Sequence, residues 1–188
     1  DLHITMSERD WATLRETYLL NTYYACDVRI VLSGQEVVVR NAGVRSRGSG
    51  SRSGVKPALK IDIGRYVAGQ RFLGLRSIIL RNLLQDASMV HEHVALEVER
   101  RLGLQAPPTV FARLFVNQTY SGLYEIIEDV DEEFLDRVRG EHDGYLFEYA
   151  WTYPYFFQYL GPALPTYKGL WDAKTRDTEP AVVLYGPF

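Results

Sequence analysis

The stretch Gly43–Ile63, GVRSRGSGSRSGVKPALKIDI, decides how the chain is read. It enters on Val44-Arg45-Ser46-Arg47, crosses the loop Gly48-Ser49-Gly50-Ser51-Arg52-Ser53-Gly54, and leaves through Lys56-Pro57-Ala58-Leu59-Lys60-Ile61-Asp62-Ile63. The exit run alternates apolar and polar residues, the period of a strand with one buried face. The stretch therefore reads as strand, glycine loop, strand. Glycine lets a backbone adopt φ > 0 and come close to a ligand. Successive free N–H groups in such a loop form a concavity that suits an anion. Arginine can fork onto a phosphate, and lysine adds a point charge. Two readings stay open from these residues alone: a phosphate-cradling hairpin, or a flexible hairpin loop with solvated arginines. The density of glycine and serine leads us to expect a mobile tip covering a groove.

Before this stretch, Leu2–Met6 reads as a short strand. Ser7 reads as the N-cap of an amphipathic helix over Glu8–Leu20, with Trp11, Leu14 and Tyr18 at helical spacing. Val28–Leu32 and Gln35–Arg40 are β-rich and joined by the turn signal Ser33-Gly34. After the stretch, 64–74 reads as irregular and Leu75–Asn82 as a strand. Asp86 reads as the cap of a helix running to Leu102, with Ala87, Val90, Val94, Val98 and Leu102 as its core face and His91 as a core histidine. Val110–Val116 and Gly122–Glu128 are two further strands around a turn. Asp131–Arg139 is a short acidic helix, Gly144–Tyr149 a strand, and 151–165 an aromatic, proline-bearing segment expected to leave apolar surface open and to favour association.

The 188 residues suffice for one domain and part of a second, and 46% hydrophobic residues argue against disorder. A net charge of −3 argues against nucleic-acid binding by the whole chain, although the Arg/Ser/Gly loop superficially resembles RNA-binding segments. No apolar run approaches the ~20 residues of a membrane span. The single cysteine, Cys26, excludes an intrachain disulfide. The start at Asp1, without a methionine or a signal peptide, leads us to expect a trimmed or fragmentary product.

The order of strands, glycine loop, lysine strand, glutamate-bearing helix, two strands and short helix is that of the small lobe of a protein-kinase-like fold. The expected fold class is therefore α+β: a small lobe over 1–130, an antiparallel sheet with a packed helix, followed by the start of a large lobe over 131–188. The usual kinase signatures (a glycine-x-glycine-x-x-glycine loop, histidine-arginine-aspartate, aspartate-phenylalanine-glycine) are absent from the sequence.

Several stretches resemble the spore coat protein H (CotH) kinase family. They are Gly43–Ser51, Lys56–Lys60, Leu80-Arg81-Asn82 with Asp86-Ala87-Ser88 and His91-Glu92, Phe115-Val116-Asn117 with Gly122-Leu123-Tyr124 and Glu128, Gly144–Tyr149, and Leu160-Gly161 with Tyr167 and Lys174-Thr175. The resemblance implies an atypical protein kinase, typically exported, that uses ATP with Mg2+ or Mn2+ to phosphorylate protein side chains at a spore or cell surface. On this resemblance Gly48, Ser49, Gly50 and Ser51 would cradle phosphate, with Arg47 and Arg52 assisting. Lys60 would be the phosphate lysine, because alternation sets it on the face opposite Leu59, Ile61 and Ile63, with Lys56 as second choice. Glu92 would be its partner, Glu128-Asp129-Val130 the hinge, and Arg81 and Asn82 a brace at the helix start. The family's catalytic and metal-binding aspartates are expected beyond Phe188. Asp143, Asp172 and Asp177 therefore receive no role, and the chain is expected to lack kinase activity by itself. A non-catalytic surface, coat or adhesion protein of the same fold is the competing expectation.

Overall fold

The computed structural model describes every residue except Ser33, His142 and 151–153. The turn signal at Ser33 and the start of the aromatic segment lie outside the described residues. The chain divides into two compact units, Asp1–Asp129 and Val130–Phe188.

The first unit is a closed β-barrel. Its strands are β1 (Leu2–Met6), β2 (Tyr24–Leu32), β3 (Gln35–Ser46), β4 (Leu59–Asp62), β5 (Ser77–Arg81), β6 (Thr109–Val116) and β7 (Thr119–Glu128). They run in the order β1-β2-β3-β4-β5-β7-β6. Every neighbouring pair is antiparallel except the closing one, where β1 lies parallel to β6 with Leu2 opposite Leu114 and Ile4 opposite Val116. The expectation of an α+β kinase-like lobe is thus corrected. The sheet has no free edge, because the first strand pairs with β6 and seals the cylinder. The described helices are few and short.

Alternation fills the barrel. Leu2, Ile4, Val28, Val44, Leu59, Ile61, Ile78, Leu80, Leu114 and Tyr124 point inward and are essentially inaccessible. Helix α1 (Glu8–Glu16), capped by the Ser7 hydroxyl, adds Leu14 and Trp11 to this core. The buried Tyr124 hydroxyl donates to the Pro57 carbonyl at 3.0 Å, tying the barrel interior to the end of the glycine loop.

Helix α2 (His91–Arg101) is shorter than its pattern predicts and is turned the other way. None of its residues is buried, and Val90, Val94, Val98 and Leu102 are 43–73% exposed. The side away from solvent carries Glu92, His93, Leu96, Glu97 and Arg100, and His91 is exposed. Asp86 caps its approach by accepting from the Ser88 and His91 N–H groups at 2.9 and 2.8 Å. These bonds, with the Ser88 hydroxyl as the largest contributor, hold the Asp86 carboxyl down to about 2.

The second unit holds α3 (Glu132–Arg139), β8 (Phe147–Tyr149), α4 (Leu164–Lys168), β9 (Trp171–Ala173) and α5 (Ala181–Tyr185). β8 and β9 pair antiparallel, and Tyr167, Leu184 and Tyr185 form a small core with Phe147 and Trp171 around them. Buried Thr175 accepts from the Leu146 N–H at 2.9 Å and donates to the Gly144 carbonyl at 2.7 Å, which fixes the approach to β8. Phe156, Phe157 and Tyr159 are 73–83% exposed.

Because the Tyr124 hydroxyl is buried with one acceptor, Tyr124→Phe leaves the Pro57 carbonyl unpaired. It should cost about 1–3 kcal/mol in urea unfolding. An unchanged midpoint would remove this bond from the barrel's stability.

Candidate functional site

Between β3 and β4 the chain turns through the glycine loop. Ser49 and Gly50 are exposed and the flanking residues half-buried. The loop is not a free tip, because Asn82 and Arg15 hold it from outside and its own Arg52 anchors it to the segment after α1. Asn82, 2% exposed at the end of β5, donates from its single amide nitrogen to the carbonyls of Ser51 and Lys56, both at 2.8 Å. Arg52 turns back, donating to the Gly48 carbonyl, to the Tyr18 and Leu20 carbonyls and to the Asn21 side chain. Arg15 of α1 donates to the Gly54 carbonyl at 2.8 Å. These contacts engage the carbonyls of Gly48, Ser51 and Gly54 and none of the loop's backbone donors. Among the described residues, no backbone N–H from Gly48 to Gly54 makes a hydrogen bond of normal geometry to a protein acceptor. Gly48 lies at φ +101°, and a Cβ there would meet the Ser51 hydroxyl at 2.5 Å, so the turn requires glycine.

The loop borders a cleft of about 230 Å³ lined by Ser51, Arg81, Asn82, Gln85, Asp86, His91 and Glu92, with Leu83 and Leu84 as its apolar wall. Here the loop tip, the end of β5 and the start of α2 meet. Arg81 and Glu92 form an ion pair across it at 2.9 Å. Beneath α2, His93 Nδ1 lies 2.6 Å from the Thr109 hydroxyl and 3.5 Å from the fully buried Glu125 carboxylate. Burial pushes the Glu125 carboxyl up and Glu92 adds to the push, while Thr109 and His93 pull the other way.

Lys60 stands on the outer face of the barrel, opposite in direction to buried Leu59 and Ile61. Its partner is Asp129 and not Glu92. Its ammonium donates to the Asp129 carboxylate, which also accepts from the Ser77 hydroxyl at 2.7 Å. Burial alone would raise the Asp129 carboxyl, but the Lys60 charge, the hydrogen bonds from Lys60 and Ser77, and Arg47 together hold it below the usual carboxylate range. Lys56 points elsewhere. Its ammonium lies 5.1 Å from the centre of the Tyr124 ring, where burial pulls it below the usual lysine range. Glu128 is buried at the end of β7, and Val130 begins the second unit.

The structure therefore brings together Ser51, Arg81, Asn82 and Glu92 at one cleft, and joins Lys60 to Asp129 on the outer face. The three residues that reasoning from sequence undervalued are Arg81, Asn82 and Asp129. Arg81 shares its strand face with Ser77 and Ile79, a period-two signal visible in the sequence. Asp129 sits inside the triplet read for its backbone alone.

The family model described as CotH kinase protein matches residues 44–178, a span that takes in the loop, the cleft and both ion pairs. No curated protein matches the chain.

Replacing Asn82 by alanine would remove the donor from two carbonyls on half-buried residues. Asn82→Ala should cost about 1–3 kcal/mol and speed amide exchange of Ser51–Lys56. Unchanged exchange there would mean that the loop is held by other contacts. The depressed Asp129 carboxyl contributes stability above its unfolded pKa of ~4, and this is lost as pH falls through the lower folded value. The stability gap between the wild-type chain and Asp129→Asn should therefore narrow from pH 6 to pH 3 in denaturant titrations. A constant gap would show that the pair contributes no pH dependence.

Proposed function

The chain belongs to the CotH kinase protein family, and from that premise we propose that its barrel unit binds the phosphates of ATP, as part of a protein kinase acting on protein side chains at a spore or cell surface. One observation carries the reading. In the loop from Gly48 to Gly54 the carbonyls of Gly48, Ser51 and Gly54 are tied down by Arg52, Asn82 and Arg15, and among the described residues its backbone N–H groups have no protein acceptor. A concavity of fixed, unpaired donors favours an anion and needs no reorganisation when the anion arrives.

In this reading Gly48, Ser49, Gly50 and Ser51 hold the phosphates through their N–H groups. Arg81 stands at the mouth of the cleft with Glu92 fixing its orientation, and its guanidinium has donors beyond those given to Glu92. Arg52 acts as a staple and does not face a phosphate, since it is committed to Gly48, Tyr18, Leu20 and Asn21. Lys60 contributes positive charge on the outer face, tempered by Asp129. Lys56 supports the loop from the Tyr124 ring. Phosphoryl transfer rests on positioning and charge stabilisation, and these residues supply the positioning of the donor.

The family implies a divalent metal. Among the described residues no group of three or more His, Cys, Asp or Glu is placed to hold one. The residues described do not fit such an ion. No helix among them is long and apolar enough to cross a membrane.

Calorimetric titration of the chain tests the reading. ATP should bind at least tenfold more tightly than adenosine, since one charge-assisted contact is worth about 1.5–3 kcal/mol. Gly48→Ala, which forces a Cβ onto the Ser51 hydroxyl, should abolish that preference while the thermal melt stays cooperative. Equal affinities for ATP and adenosine would overturn the phosphate role.

A further inference from the structure

The chain's charge is strongly segregated. Between Arg40 and Arg81 there are ten basic residues and one acidic residue, Asp62, although the whole chain is acidic at −3. Four of these cations sit apart from one another: Arg40 pairs with Asp27, Arg52 staples the loop, Lys60 pairs with Asp129 and Arg81 with Glu92. Three others, Arg65, Arg71 and Arg76, converge on a different place. They line an open cleft of about 320 Å³ with Asp62, Gly64, Ala68 and Gly69, formed by the connection from β4 to β5. Because β4 is a single strand, this connection leaves its opposite end from the glycine loop, so the two clefts are distinct.

The cationic cleft is built and not merely a chance of composition. Arg65 lies with its guanidinium 4.5 Å from the centre of the Tyr23 ring, and Arg45 lies 5.4 Å from the same ring. Gly43 on β3 leaves room for it, since a Cβ there would come within 2.6 Å of the Arg65 side chain. The Tyr66 hydroxyl donates to the Tyr23 carbonyl, and Gln70 donates to the carbonyls of Arg40 and Ile63, which fixes the path of the connection. Stacking uses the flat face of a guanidinium and leaves its N–H edge for a carboxylate. Arg71 and Arg76 are exposed, and Arg71 donates to the Gln70 carbonyl at 3.1 Å.

We propose that the cleft of Arg65, Arg71 and Arg76 docks an acidic segment of a partner protein, through carboxylates forked by these three guanidinium groups. The charge balance selects this occupant. Three arginines against one aspartate favour an anion with several carboxylates. A long polyanion such as a nucleic acid is disfavoured by the net charge of −3 that the chain carries. A short acidic segment stays within the patch. The interaction does not depend on nucleotide binding.

The probe is a fluorescein-labelled twelve-residue peptide of alternating glutamate and serine, titrated with the whole chain and followed by polarisation. A glutamine-for-glutamate peptide serves as control. Binding to the acidic peptide should weaken about tenfold or more between low and physiological salt, as screening of several contacts requires. Arg71→Gln with Arg76→Gln should weaken it about tenfold, and Arg65→Gln added to these should abolish it, each variant retaining the wild-type melting curve. A matched triple change away from the cleft, Arg9→Gln, Arg101→Gln and Arg139→Gln, should leave binding within about twofold. Equal loss in the matched triple, equal binding of the glutamine peptide, or no binding would overturn the proposal. Tighter binding of a single-stranded oligonucleotide, lost in the same cleft variants, would reassign the cleft to nucleic acid. Self-association of the chain that is competed by the acidic peptide would place a second copy's acidic surface there instead.

Discussion

The carboxamide of Asn82 is the contact on which the candidate site depends. One buried NH2 group spans the two sides of the glycine loop by donating to the Ser51 and Lys56 carbonyls. A buried amide with both donors used is costly to disturb, because each freed carbonyl loses a partner without regaining water. The loop is thereby attached to the end of β5, the strand that also carries Arg81. The geometry of the cleft follows. Loop, cation and the Glu92 end of α2 are brought together by one strand terminus, and the contacts that hold the loop use its carbonyls and not its N–H groups.

Barrel closure gives this arrangement a rigid support. The parallel pairing of β1 with β6 leaves no edge strand in the first unit and places the apolar residues of all seven strands in one cylinder. On the outer face two cations near the loop meet carboxylates from elsewhere in the chain: Lys60 meets Asp129, and Arg81 meets Glu92. Partly exposed pairs of this kind add little net stability. They fix side-chain directions more than they strengthen the fold.

Much of the local structure was legible in the sequence. The strand–loop–strand reading of Gly43–Ile63 follows from the alternation of Leu59, Lys60, Ile61 and Asp62 around a glycine-rich break, and the cap at Ser7 follows from side-chain chemistry. Closure was not legible, because the pairing of β1 with β6 joins residues more than a hundred positions apart and leaves no local trace. The face of α2 was misread for a related reason. Val90, Val94 and Val98 form the better apolar stripe, but the barrel surface beneath the helix is polar, carrying Arg81, Thr109 and Glu125. The helix therefore turns Glu92 and His93 toward it. Periodicity identifies a helix's apolar stripe and says nothing about the chemistry of the surface that receives it. The partners of Lys60 and Glu92 were missed because a pairing argument by fold analogy assumed the two would meet each other.

The central claim is that the open N–H groups of the glycine loop, together with the cleft beside Asn82, receive phosphate. The most direct test is a two-dimensional amide spectrum of the 15N-labelled chain, titrated with ATP. The account predicts progressive shifts of the Gly48–Gly54 amides, of the Arg81 side chain and of the first turn of α2, with the resonances of Arg65, Arg71 and Arg76 unmoved. Shifts confined to other parts of the barrel, with the loop amides unmoved at saturation, would contradict it.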